Sequence, residues 1–452
     1  MRKIIFIDSQ RQRFETEIHK FMQTLNQRYL SNLGDIVFEL FPKEEIKVKE
    51  FIHPKELGRI VIFETTKVEY APGHNIFSLM WAKCFYELGY SVYLLDILYK
   101  KASNFQGLIK KINPNLILDN HNVVANQSQL IATQKIPPVN FLELGCPVVL
   151  LVGELPLWQE GSLISLETLQ FIKKHNHLFY ILCHDKSWCL FFERFGIKNV
   201  DFLLHYTPYE FSYPTEYLAK TYPISFVGNF FAPSPNHLPK GILTLINNSL
   251  QFKKNDLGYK CVTNLIEKIL QNGGLRSWHH LAYACNQIGY QYESIRYFVI
   301  SELIKKYKLT LFGKLVPSDL ANHPNIDYKG PAHWLMLPII FGMTAINLNI
   351  HRIVFDTGTQ ERSFMLIFSK AFFLTDYKEI FSELFPETYK KFTFRTVKEL
   401  KEKIAYYLKH DNERREISEN LYQKAISKYT MRHRAQEILN LLGLRYLTEV
   451  KG

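Results

Sequence analysis

The sequence predicts an α/β protein with two Rossmann-like units facing across a cleft. Three observations lead there. Short, continuously apolar runs recur along the chain, polar or ionisable residues close most of them, and stretches of helical spacing lie between them. Parallel strands covered by helices on both faces read this way, whereas half-exposed strands alternate. At 452 residues the chain is also too long for one ordinary core, so two domains are expected.

Residues 1–55 read as an extension packed on the first domain, with a short strand at Ile4–Ile7 and mixed helical spacing over Phe14–Tyr29. The first domain, 56–215, takes the apolar runs Ile60–Phe63, Val92–Leu95, Leu116–Leu118, Val148–Val152, Phe179–Cys183 and Val200–Leu204. Glu64, Asp96, Asp119, Glu154, His184-Asp185 and His205 close them. Phe77, Met80, Trp81, Cys84 and Leu88 share one helical face, and Gly89 stops that helix.

The second domain, 216–440, opens with Ile224–Val227 feeding Gly228-Asn229, continues through Leu309–Phe312 and Gly313-Lys314, and adds a short strand at Ile326–Lys329. The stretch from Thr344 to Phe385 organises it. Ala345–Ile350 reads as a buried strand, His351–Glu361 as a polar loop, Arg362–Ser369 as a helix and Ala371–Thr375 as the next strand. Such a unit is half of a nucleotide-binding sheet, and ligands sit at the carboxyl ends of its strands. Val397, Leu400, Ile404, Tyr407 and Leu408 mark an amphipathic helix, and a last helix from about Thr430 to Leu442 is expected to cross back to the first domain; 441–452 is a tail.

Composition narrows the function classes. Apolar residues make up 47% and charged residues 22%, as in a globular protein. The net charge of +12 suits either solubility or contact with an anionic surface. No zinc-finger spacing, RNA-recognition signature or long basic run points to nucleic acid. The six cysteines form no paired framework and no secretory signal opens the chain, so reduced thiols and a cytoplasmic location are expected. The longest apolar run, Trp334–Ile346, is short for a membrane span and contains Pro338 and Gly342. Membrane contact would then be peripheral, with Lys100-Lys101 and Lys110-Lys111 as the basic pairs, though a solvated helix face explains them as well.

Several chemistries lack their residues. No Gly-x-Gly-x-x-Gly follows the first strand, so a nicotinamide cofactor is unsupported. Walker loop, Asp-x-Asp, zinc-ligand spacing and Gly-x-Ser-x-Gly elbow are missing too, and neither a metal nor a cofactor is expected.

The C-terminal third resembles the spore-maturation-type (CgeB-like) glycosyltransferases, a GT-B family. The motifs are Leu348-Asn349, Arg362-Ser363-Phe364-Met365, Phe373-Leu374-Thr375 and Leu384-Phe385, then Tyr429-Thr430-Met431-Arg432-His433-Arg434 for the family's closing H-T-x-x-H-R. The resemblance is looser over Phe226–Gly313 and weak before it. Met365 stands where the family usually has an acid for the nucleotide ribose, and Phe368-Ser369-Lys370-Ala371 replaces its Gly-rich turn. These departures point to a different donor, to a shifted acid with Glu361 nearest, or to a site that binds without catalysis.

The resemblance implies sugar transfer from a nucleotide-diphosphate donor to an acceptor that is a glycan, a protein or a lipid-linked molecule. That reaction needs the leaving diphosphate neutralised, the donor held in line and, for inversion, a base on the acceptor. Without a metal, helix N-termini and Arg or Lys neutralise. Gly228, Asn229, Gly313, Lys314, Glu361 and Arg362 all follow strands of the second domain and are the donor-binding candidates, with Lys314 and Arg362 on the diphosphate. Each also has a plain reading as a turn residue or ion-pair partner. His74, at a helix start, ranks first as base, followed by Asp119 and His121, with Glu154 at another strand end. A cap or hydrogen-bonded core residue is the plain reading of each. An inactive GT-B-like protein that binds a glycan or partner is the alternative function, and a sugar-nucleotide epimerase is a third.

Overall fold

The computed structural model describes residues 48–64, 74–96, 105–120, 140–153, 166–207, 212, 214–230, 240–271, 278, 280–281, 284, 295–332 and 336–447. The expected strand at Ile4–Ile7, the segment Phe14–Tyr29, Lys100-Lys101, His121 and Glu154 lie outside them.

The first sheet is built from β1 (Val48–Phe51), β2 (Gly58–Glu64), β3 (Tyr90–Asp96), β4 (Leu116–Asp119), β5 (Val148–Val152), β6 (Phe179–Cys183) and β7 (Val200–Phe202). Its order is β1-β3-β2-β4-β5-β6-β7. The strands β2 to β7 run parallel, and β1 closes one edge antiparallel to β3. The second sheet holds β8 (Tyr222–Val227), β9 (Leu309–Phe312), β10 (Ile326–Tyr328), β11 (Thr344–Asn349), β12 (Phe373–Asp376) and β13 (Thr393–Phe394). It is parallel throughout, in the order β10-β9-β8-β11-β12-β13. Every residue of β4, β5, β9 and β12 is buried, which is why these runs carry no polar alternation.

The helices that matter below are α1 (His74–Glu87), α2 (Phe105–Ile112), α3 (Leu166–Lys174), α4 (Lys186–Phe195), α5 (Lys240–Asn255), α6 (Cys261–Leu270), α7 (295–304), α8 (Glu361–Phe368), α9 (Val397–Tyr407), α10 (Asp411–Lys428) and α11 (Met431–Leu441). Local signals fix their ends. The Asp185 side chain accepts from the Ser187 amide to start α4, and Gly196 at φ 94° ends it. Gly89, at φ 101°, turns the chain from α1 into β3 as the sequence predicts.

Carboxyl ends of the two sheets face each other, the GT-B arrangement of two Rossmann-like α/β units. The apolar core runs across the junction: the Trp188 ring on α4 lies 5.0 Å from that of Phe355, and Phe191 lies 5.3 Å from Trp278. The chain then returns. Met431, Ala435, Ile438 and Leu439 of α11 join the first sheet's cluster with Trp81, Phe85 and Leu88. The Leu447 amide donates to Leu88 O at 3.0 Å, and Tyr90 Oη donates to Arg445 O at 2.6 Å.

Three details differ from expectation. β7 ends at Phe202, so Leu203 and Leu204 leave the sheet although both stay buried. β1 lies inside the stretch read as an extension, and its Val-Lys-Glu-Phe sequence is that of a half-exposed edge strand, not a buried one. The turn Phe368-Ser369-Lys370-Ala371 precedes β12 and so sits at the amino edge of the second sheet, where Ser369 O accepts from the Thr215 amide. Its missing glycine therefore does not alter a ligand's approach to the strand ends. The backbone still takes the left-handed turn, with Lys370 at φ 50°.

Candidate functional site

In an open parallel sheet the ligand crevice opens where neighbouring strands connect to opposite sides. In the second sheet that point lies between β8 and β11, because β8 leads to β9 on one side while β11 leads to β12 on the other. Gly228-Asn229 follows β8, Gly313-Lys314 follows β9, and the loop from Ile350 to Gln360 follows β11. Parallel pairing puts all three on one edge, within two strand spacings or roughly 10 Å. The backbone is tight there: a Cβ on Gly313 would come within 2.1 Å of Gly228 O. Asn229 Oδ1 accepts from the Lys314 amide at 2.8 Å, and the Lys314 side chain is exposed.

Arg296 on α7 was not foreseen. Only 4% exposed, it donates from Nε to Ile350 O and from one terminal nitrogen to Asn229 O, each at 3.2 Å. Its guanidinium thus bridges the ends of β8 and β11 at the crevice. A sequence signal did exist. Arg296, Val299, Ile300 and Leu303 share one helical face, and the last three are buried, so the arginine points inward.

The loop after β11 is held by a buried polar network. The His351 amide donates to Asp376 Oδ1 at 2.8 Å, and Nδ1 of its ring lies 2.8 Å from the same oxygen. Thr359 Oγ1 lies 2.8 Å from His351 Nε2 and 2.5 Å from Ser363 Oγ. Gln360 Nε2 donates to Asn349 Oδ1 at 2.9 Å, and Lys378 Nζ donates to Phe355 O at 2.6 Å. Burial would push the Asp376 carboxyl up, but Lys378 and His351 overcome this and hold it well below the usual range. Burial pushes His351 down further than Asp376 raises it, so the ring is neutral near pH 7. Asp356 accepts from the Thr263 amide and hydroxyl at the start of α6, and burial together with Asp185 pushes it up to about 6.

Glu361 and Arg362 open α8 at the end of this loop, both half-buried. Met365 lies one turn further along and is fully buried. An acid at that place in this chain would sit in the core, whereas Glu361 at the helix start reaches the edge.

On the facing edge Asp119 ends β4 beside β2, at the first sheet's own switch point, and is fully buried. His74 is the first residue of α1, whose start lies at the same edge. Asn120 Oδ1 accepts from Tyr206 Oη at 2.8 Å, and the Tyr206 ring packs 4.7 Å from Trp81 and 5.3 Å from His184. Burial raises the Tyr206 phenol and the Glu361 carboxylate of the second half adds to it. Burial pushes the His184 ring down, and His205 and Arg434 of α11 add to that.

Among the described residues the edges touch directly around Asp185. Asp185, following β6, accepts at Oδ2 from the Thr357 amide at 2.9 Å and the Gly358 amide at 2.7 Å. A Cβ on Gly358 would fall 2.0 Å from His184 O, so only glycine lets the loop come this close. Trp188 Nε1 donates to Val354 O at 3.1 Å, and Lys186 pairs with Glu383 at 2.5 Å.

Residues 296–440 match a family model described as Glycosyl transferase-like. The matched segment begins at Arg296 and takes in the Gly313-Lys314 turn, the loop after β11, Glu361-Arg362 and Arg434. No curated protein sequence matches the chain. Among solved structures, S. aureus TarM, in complex with UDP, aligns at 11% identity and a TM-score of 0.41, over 72% of this chain and 55% of TarM. Anabaena HepE, in complex with UDP and glucose, aligns at 12% identity and a TM-score of 0.46, over 85% and 99%. The T4 phage β-glucosyltransferase with UDP and Mn2+ aligns at 11% and 0.48, over 85% and 100%. This chain therefore spans little more than half the length of TarM.

Among the described residues no group of His, Cys, Asp and Glu is arranged to hold a metal ion, and no helix is long and apolar enough to cross a membrane.

Proposed function

We propose that the protein is a GT-B glycosyltransferase that moves a sugar from a nucleotide-diphosphate donor to a glycan, protein or lipid-linked acceptor. The observation that carries this reading is the glycosyl transferase-like match, because residues 296–440 supply most of the second sheet's carboxyl edge and the β11 side of its switch point. On this reading 56–215 is the acceptor domain and 216–440 the donor domain.

Each donor-side group then has a task. Gly228 and Gly313 let the backbone approach the diphosphate, and Asn229 fixes the turn beside them. Arg362, Lys314 and Arg296 supply the positive charge that meets the leaving group, which makes a metal unnecessary. Glu361 serves as the shifted acid for donor hydroxyls. On the acceptor side His74, Asp119 and His121 remain the candidate bases. We place the protein in the cytoplasm, with peripheral contact to anionic membrane as an option; Lys110 is already paired with Glu143 at 2.7 Å, which weakens α2 as that surface.

A thermal-shift screen with UDP, GDP, ADP and their hexose conjugates tests the reading, since a ligand of the native state raises the melting temperature. A rise with at least one nucleotide sugar, insensitive to EDTA, is expected. No shift with any would remove the donor site. The second reading, a binder without catalysis, draws on Met365 at the family's acid position; donor binding with no donor hydrolysis would favour it.

A further inference from the structure

We infer that Asp185 of the first half is a positioning residue for the donor, because it holds the second half's loop in the arrangement that presents Glu361-Arg362. The inference rests on the glycosyl-transfer reading and adds to it the residue through which one half completes the other's site.

The loop after β11 is held from two sides. At its ends the partners belong to the second half: Asp376 Oδ1 accepts from the His351 amide, and Gln360 Nε2 donates to Asn349 Oδ1. In the middle, Lys378, Thr263 and the Ile380 amide of the same half donate to Phe355 O, Asp356 Oδ2 and Thr357 O. The first half supplies the rest. Trp188 Nε1 donates to Val354 O and the Lys186 amide to Thr357 Oγ1, each at 3.1 Å. The Thr357 and Gly358 amides go to Asp185 Oδ2, at 2.9 and 2.7 Å.

That last contact selects a conformation. Successive N–H groups converge on one oxygen only where the backbone curls, so the carboxylate specifies the turn between Thr357 and Gly358. The carboxylate itself has no freedom to follow the loop. Asp185 is fully buried, and its other oxygen accepts from the Ser187 amide at 2.9 Å and lies 2.5 Å from Ser187 Oγ. Behind the turn, His184 O would be 2.0 Å from a Cβ on Gly358.

The turn is short of the donor candidates by three positions, Gly358 to Glu361. Thr359 and Gln360 between them are buried, so no slack linker absorbs a displacement. Where the turn goes, the start of α8 goes with it. A loop that samples several arrangements binds its ligand more weakly, in proportion to the fraction of molecules in the competent one. Asp185 keeps that fraction high before the donor arrives.

A second contact between the halves serves as the control. Lys186 Nζ pairs with Glu383 at 2.5 Å, both half-exposed, and this pair does not touch the loop after β11.

The test is titration calorimetry of the full chain with whichever of UDP, GDP or ADP stabilises it, on variants shown to be folded by circular dichroism. Asp185→Ala should raise Kd at least about fivefold, which leaves about a fifth of the molecules or fewer competent. Lys186→Ala should bind as the unaltered protein does. A purely structural role for Asp185 would lower the melting temperature and leave the Kd of folded molecules alone. A smaller rise for Asp185→Ala, or an equal loss of affinity in Lys186→Ala, therefore overturns the inference and leaves glycosyl transfer standing. Should the alanine variant not fold, Asp185→Asn, which keeps one oxygen for the Ser187 cap and turns its amide toward the loop, is read by the same rule. If neither folds, Asp185 is a folding determinant and the inference falls. If the unaltered protein binds none of the nucleotides, the glycosyl-transfer reading itself has failed.

Discussion

The Asp185 carboxylate of the first half accepts a 2.7 Å hydrogen bond from the Gly358 amide of the second. The same side chain caps α4 through the Ser187 amide at 2.9 Å. One residue thus secures a helix in its own half and a loop in the other.

Asp185→Ala removes the cap and leaves the Thr357 and Gly358 amides without their acceptor. A cap contributes about 1 kcal/mol and each of the two unmet donors costs roughly 1–3 kcal/mol, so a loss of at least about 3 kcal/mol is expected. Asp185→Asn retains an acceptor oxygen and should lose less. Urea unfolding of both variants measures this; an unchanged midpoint for the alanine variant would show that the contact contributes nothing.

Gly358→Ala tests the same contact by crowding it. The added carbon would meet the backbone oxygen of His184 at 2.0 Å, and neither side is a flexible side-chain tip. The halves must shift apart at a cost of about 1–3 kcal/mol. Thermal melts should show the loss, and donor hydrolysis should fall with it. Native stability in this variant would mean that the loop has slack.

Arg362→Ala should weaken binding of a nucleoside diphosphate about 10- to 100-fold, the range of a lost charged hydrogen bond of roughly 1.5–3 kcal/mol. Titration calorimetry reads this directly. Equal affinity would take Arg362 out of the donor site.

Acid should destabilise the fold from near-neutral pH downward. His184, His205 and His351 are all pushed below their ordinary value, with burial the largest cause, and His205 falls to about 4. Below about pH 6.5 the unfolded chain takes up protons that the folded rings refuse, so stability drops as pH falls toward the folded values. A ring moved from 6.5 to about 4 loses about 2 kcal/mol by pH 5. Asp356, raised to about 6, works in the opposite direction and regains some stability over the same range. Asp376, held low, adds its own loss only below about pH 4. Urea midpoints at pH 7.5 and 5 should therefore fall; a higher midpoint at pH 5 would refute the balance.

Much of this architecture is legible in the chain because buried parallel strands leave an unambiguous mark. The runs at Ile60–Phe63, Val148–Val152 and Leu309–Phe312 lie within β2, β5 and β9, and Gly89 ends α1. Edge strands leave less. β1 has a polar face, and β13 spans only Thr393–Phe394, so neither gives an apolar run. The donor-side candidates from Gly228 to Arg362 share one edge because parallel pairing puts every strand's end there. Arg296 and the His351–Asp376 pair were harder to read. Their roles depend on partners 54 and 25 residues away, and no local pattern encodes such distances.

The return of α11 to the first half has a consequence for synthesis. The apolar face formed by Trp81, Phe85 and Leu88 is made some 340 residues before Met431, Ile438 and Leu439 leave the ribosome to cover it. Until then the nascent first half carries an oily, unfilled groove. Cutting the molecule between its sheets would make that temporary condition permanent, so separately expressed halves should be sticky alone and soluble when mixed.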